Sequence, residues 1–106
     1  MRPIGLHELL LLNHLLGLAG IQCDTEELLV EEMGDGGMGS LRLHPDQGNR
    51  QFGKEVGNCE FLDIDGVVVS AALYLDQHGE LFELDVWKTN FSPLQKWPTT
   101  QDLVEG

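Results

Sequence analysis

Residues 59–88 read CEFLDIDGVVVSAALYLDQHGELFELDVWK, and this stretch decides the fold. Three runs of strand character, Cys59 to Ile64, Val67 to Leu75 and Leu81 to Lys88, are separated by two turns. Asp65-Gly66 is a two-residue hairpin signal, because glycine takes the positive φ that such turns require. Asp76-Gln77-His78-Gly79 marks the second turn. Period-two alternation in the last run points Phe82, Leu84 and Val86 inward and Glu83, Asp85 and Trp87 outward. The facing strand then offers Ser70 and Tyr74 to the same outer surface. Strands joined by turns this short are antiparallel neighbours.

Upstream, Leu28 to Met33 and Ser40 to His44 also read as strands. Leu41 and Leu43 face one way, Arg42 and His44 the other. Between them lies the glycine-rich run Gly34 to Gly39, and after them the polar segment Pro45 to Gly57. That segment reads as a long connection, pinned to the core by Phe52 and Val56. The N-terminal segment has the helical period: Leu6, Leu9, Leu10 and Leu16 fall on one side, and Leu11, Leu12 and Leu15 widen the stripe. Pro3 suits a first turn, and Gly17 and Gly20 supply the stop. The helix is expected over about 5–18, the meander over about 28–88, and an irregular, partly mobile tail over 89–106.

A leucine-rich helix and a one-sided sheet each need a cover, and packing them on each other is the simplest solution. The expectation is therefore one α+β domain over 1–106, an N-terminal helix packed on an antiparallel sheet of about five strands in two layers. At 106 residues with 42% hydrophobic content, the chain can build such a core without metals or disulfides. Cys23 and Cys59 are expected as reduced thiols in or near that core. The stretch Ile4 to Ile21 is interrupted by His7, Glu8, Asn13 and His14, so it fits neither a signal peptide nor a membrane span. A cytoplasmic protein is expected.

Charge narrows the function. Eighteen acidic residues against six basic ones give a formal charge of -12. Such a field repels nucleic acid and anionic lipid, and it speeds encounter with a basic partner.

Several chemistry-bearing patterns have plainer explanations. Gly34 to Gly39 opens into a strand, contains Asp35 and has no lysine in the position of a phosphate loop, so it reads as a turn. Asp63-Ile64-Asp65-Gly66 resembles the start of a calcium loop, yet Val67-Val68-Val69 follows where further oxygen ligands would be needed. His7 and His14 are seven apart rather than three or four, and His78 sits in a turn, so no metal site is expected from His7, His14, His44 or His78. Glu83 and Asp85 share one strand face, about 6–7 Å apart by strand rise. They can be a solvated face, a docking face or, as an alternative, part of a metal-dependent hydrolase with His78 or Asp76. No nucleophile with a positioned base accompanies them, so no enzyme and no cofactor are expected. The outer face is read as partner-binding, with Glu83, Asp85, Trp87, Tyr74, Asp63 and Glu60 as its residues. Cover by Phe91, Leu94 and Trp97 of the tail is the competing arrangement.

Two motifs, DGGMGSL at 35–41 and FELDVWKTNFSPL at 82–94, occur with Phe52-Gly53-Lys54-Glu55 and Asp63-Ile64-Asp65-Gly66-Val67 between them. Together they resemble an uncharacterised family of small acidic bacterial proteins, over about residues 6–94. Asn90 departs from the pattern, standing where an acid is expected. Proteins of this kind look like immunity proteins of toxin–immunity systems. The resemblance implies a partner rather than a substrate: the basic, nuclease-type C-terminal domain of a contact-dependent or similarly secreted toxin. A homodimeric regulatory or scaffold domain is a further alternative.

Overall fold

The computed structural model describes residues 1–23, 25, 28–34, 36–44 and 49–104. One six-stranded antiparallel sheet carries the fold, with an N-terminal helix on one of its faces. In chain order the elements are β1 (Arg2–Pro3), α1 (Leu6–Ala19), β2 (Leu29–Glu32), β3 (Leu41–Leu43), β4 (Phe52–Leu62), β5 (Val68–Asp76), β6 (Leu81–Lys88) and α2 (Thr100–Val104). The spatial order is β1-β2-β3-β6-β5-β4. The expected α+β arrangement is thus present with six strands instead of about five.

The additional strand is β1. Arg2 and Pro3 pair with Val30 and Leu29 at the sheet edge, so Pro3 belongs to a strand and not to the helix. An edge tolerates proline because one side of the strand needs no donor. Arg2 grips both Glu8 carboxylate oxygens at 2.7 Å, and the Gly5 N–H donates to Glu8 Oε1 at 2.8 Å. Desolvation works against ionised Glu8, but the guanidinium and the Gly5 N–H prevail and hold its carboxyl below the ordinary range. This cluster fixes where α1 begins.

α1 buries Leu11, Leu12, Leu15 and Leu16. Leu6 is exposed, while Leu9 and Leu10 are half-buried, so the expected stripe is rotated. Eight leucines surround the helix, and the choice of face comes from the sheet. At Gly57 of β4 a Cβ would meet the Leu15 carbonyl oxygen at 3.0 Å. The helix backbone rests there because that position has no side chain. Each leucine taken from water contributes about 1.5–3 kcal/mol.

β4 starts earlier than expected, at Phe52, so half of the presumed connection is strand; residues 45–48 lie outside the described residues. Irregularities at Phe52/Lys54 and Glu55/Gly57 let this polar, glycine-containing stretch pair with β5. Val56 packs against the core, but Phe52 is exposed and touches Tyr74 edge-on at 5.3 Å. Another irregularity at Tyr74/Leu75 shifts the phase of β6, so Leu81 is buried and Phe82 only half-buried beneath the Arg50 guanidinium. Cys59 is buried as expected; Cys23 is exposed.

The glycine run is a turn: Gly36, Gly37 and Gly39 all have positive φ, while Asp35 lies outside the described residues. A Cβ on Gly39 would stand 3.1 Å from the Trp97 ring. The tail uses that gap. Leu94 and Trp97 pack against the core and Leu103 of α2 is buried, so the segment after β6 joins the helical side of the sheet.

Candidate functional site

β4, β5 and β6 leave their other face open, and the pairing register orders it into rows. Glu60, Ser70 and Trp87 form one row, Asn58, Ala72 and Asp85 the next, and Glu55, Tyr74 and Glu83 the third. The third continues through Arg42 of β3 to Glu31 of β2. The small side chains of Ser70 and Ala72 make the floor of a concavity of about 730 Å³. Acids and aromatics stand along its sides.

Among the described residues, four of the six basic residues are held in ion pairs, and one of these, Arg42, stands on the third row of this face. Arg2 pairs with Glu8 and Glu32, Arg50 with Asp76, Lys88 with Asp63 and Asp65, and Arg42 with Glu31. Among the described residues, Glu55, Glu60, Glu83 and Asp85 form no ion pair. The Ser40 hydroxyl lies 3.1 Å from Asp85 Oδ1 and 3.0 Å from the Val86 carbonyl oxygen, which share its one proton, and it accepts from the Val86 N–H at 2.9 Å. Partial burial pushes the Glu83 carboxyl above the ordinary range; Arg42 opposes this and Asp85 reinforces it. Burial likewise raises the Tyr74 hydroxyl, and the carboxylates of Asp85, Glu55 and Glu83 add to the rise. The face is a region of concentrated negative potential.

Aromatic pairs bracket the acids. Tyr74 meets Phe52 at one end, and Trp87 meets Phe91 at 5.8 Å at the other. Phe91 is 67% exposed with φ +62°, in the left-handed region that bulky residues avoid. Its N–H donates to the Lys88 carbonyl, and Asn90 Oδ1 accepts from the Ser92 N–H and hydroxyl, which fixes the bend. A strained backbone that holds an apolar ring in water is a feature that packing alone does not require.

Five of the six expected partner-binding residues, Glu60, Tyr74, Glu83, Asp85 and Trp87, therefore share this face. Asp63 does not. Its side chain is fully buried on the opposite side, 2.8 Å from the Lys88 ammonium, which Asp65 also approaches at 2.7 Å. The N–H groups of Ile64, Gln95 and Lys96 donate to the Asp63 carboxylate as well. The cluster ties the β4–β5 hairpin, the end of β6 and the tail together. Phe91 belongs on the open face and was expected only as possible cover. Of the competing hydrolase set, Asp76 is committed to its turn, accepting from the N–H groups of His78 and Glu80 and pairing with Arg50. No three His, Cys, Asp or Glu among the described residues converge as a metal site.

Desolvation raises the Asp63 carboxyl, but the Lys88 ammonium and the backbone N–H groups outweigh it and hold it at about 2, against an ordinary 3.8. A value lower in the folded than in the unfolded chain gives stability that is complete above the unfolded value and is lost as pH falls through the folded one. Asp63→Asn is therefore expected to flatten the decline in stability between about pH 4 and pH 2. Urea midpoints across that range read the effect; a slope equal to the wild type's contradicts it.

The molecule is thus an antiparallel sheet with one helical layer and one open acidic, aromatic-edged face. The chain belongs to the family described as Domain of unknown function (DUF6984), whose model matches residues 1–98. That match spans every strand and the whole open face. No curated protein and no solved structure compared with the chain matches it. No helix among the described residues is long and apolar enough to cross a membrane.

Proposed function

We propose that this protein is an immunity protein, a cytoplasmic inhibitor that acts by docking and does no chemistry of its own. Its open face binds the basic, nuclease-type domain of a secreted or contact-delivered toxin and covers the surface that would hold nucleic acid. One observation carries this reading: among the described residues Glu55, Glu60, Glu83 and Asp85 form no ion pair and stand between two aromatic pairs, with Arg42 beside Glu83 but paired to Glu31, while Arg2, Arg50 and Lys88 are locked into ion pairs elsewhere. Charged rims with central aromatics give both rapid encounter and a desolvated anchor. A polyanionic protein surface also competes directly with a phosphate backbone for the same lysines and arginines.

A second copy of this chain is a poor occupant. Face-to-face pairing would bring the same four carboxylates of each copy together, and each copy carries a formal charge of -12.

The test is co-expression with the C-terminal domain of the protein encoded directly upstream. The expected result is restored growth and a stable complex of the two purified proteins. A domain that remains toxic, with no complex at micromolar concentrations, would overturn the reading for that pair. The raised carboxyl of Glu83 adds a signature: affinity should fall on acidification, as this carboxylate protonates sooner than an ordinary one.

A further inference from the structure

We infer that the element received by the open face is a basic α-helix lying along β5, with Lys and Arg on both of its flanks. This rests on the docking reading above and adds the binding mode.

The argument starts from side-chain size. Ser70 and Ala72 point outward from β5, the middle of three strands, and leave a furrow between taller neighbours. Asn58 and Glu60 line it from β4, and Asp85 and Trp87 line it from β6. Strands two steps apart lie about 9.6 Å from each other, close to the 10–12 Å breadth of one helix. From Ser70 to Tyr74 the furrow runs about 13 Å, the length of roughly nine helical residues, which a 14-residue helix spans with a turn to spare. An extended segment gains little here, since the backbone groups of β5 are already paired on both sides by β4 and β6. A helix needs no backbone partner, and small floor residues let its ridge approach closely.

Charge then fixes the flanks. A helix centred over Ser70 and Ala72 has Glu60 on one side and Asp85 on the other. It must carry cations along both edges of its contact stripe. Tyr74 and Trp87, at opposite ends, offer ring faces to those cations or to apolar residues of the end turns.

The probe is a stapled 14-residue helix with an alanine stripe flanked on both sides by arginines, compared with an isomer of equal composition whose arginines are spread around the helix. The striped peptide should bind at least tenfold more tightly and shift the amide resonances of Ser70, Ala72 and Tyr74. Ala72→Trp, which fills the floor and leaves every charge in place, should abolish the preference; Ser70→Leu is the second variant, and circular dichroism checks that each is folded. Equal affinity for the two isomers, or a preference that survives both fillings, overturns the helical mode. Loss of that mode while Glu83→Lys/Asp85→Lys still abolishes binding of the toxin domain leaves the docking face standing. A retained peptide preference with no effect of that charge reversal on toxin binding removes the toxin reading and leaves the helix-binding furrow.

Discussion

Glu83→Lys combined with Asp85→Lys is expected to weaken binding of the toxin domain by at least about 3 kcal/mol, more than a hundredfold in Kd. Both side chains are half-buried on the open face, in adjacent rows of β6. Their reversal places two ammonium groups where the partner brings cations. Close charge pairs in desolvated interfaces couple by about 1.5–7 kcal/mol, so two reversals suffice to lose neutralisation in cells. Glu80→Lys, on the exposed β5–β6 turn, is the control. It changes the long-range field by the same amount per site and should slow association modestly without shortening the lifetime of the complex. Surface plasmon resonance separates the two effects. A double reversal that binds normally moves the docking site elsewhere.

The second large effect concerns stability. Asp63→Ala removes a carboxylate that accepts from an ammonium and three backbone N–H groups inside the protein. Breaking a buried ion pair from one side costs about 3–5 kcal/mol, and the expected loss here is about 3 because Asp65 remains near the cation. For a domain of this length that lowers Tm by more than about 10 °C. Hydrogen exchange should rise first at Gln95 and Lys96, whose N–H groups lose their acceptor. Asp63→Leu with Lys88→Met, which removes the unpaired ammonium, should recover only part of the loss, because the Ile64, Gln95 and Lys96 N–H groups still lack their acceptor. A single variant as stable as the wild type would show that the cluster contributes no stability.

The open face is legible in the sequence because alternation over 83–88 is clean, although Phe82 breaks it, and short turns fix the neighbour. Glu83, Asp85 and Trp87 fall where period two puts them, opposite Tyr74 and Ser70. The same alternation also marks a buried ion pair. Lys88 continues the inward series of Leu84 and Val86, and Asp63 continues that of Cys59 and Phe61. Two opposite charges on the inward phase of strands within one meander imply a buried pair. Its negative charge does not set Asp63 apart from the docking residues; its inward phase does.

Other features had no local signal. β3 pairs with β6 across intervening β4 and β5, a long-range choice that no turn encodes. The face of α1 was ambiguous because leucine occupies most of its circumference. β4 was shortened in the reading because glycine and charge in 52–57 imitate a loop, whereas an edge strand accommodates both through local irregularities. Phe91 was missed as a surface residue, since an apolar ring in an irregular segment is ordinarily spent on cover.

The place of β6 has a consequence for how the chain reaches its native state. Leu41 and Arg42 pair with Leu84 and Glu83, so the seam between the two halves of the sheet closes only after the last strand exists. On a ribosome, β2 and β3 emerge early and wait with one edge bare until residue 88 has left the exit tunnel. The meander from 52 to 88 pairs only neighbours in the chain, so none of its pairings has to wait for the earlier hairpin. That interval is the period of greatest aggregation hazard, and a surplus of negative charge on the nascent chain keeps like molecules apart while it lasts.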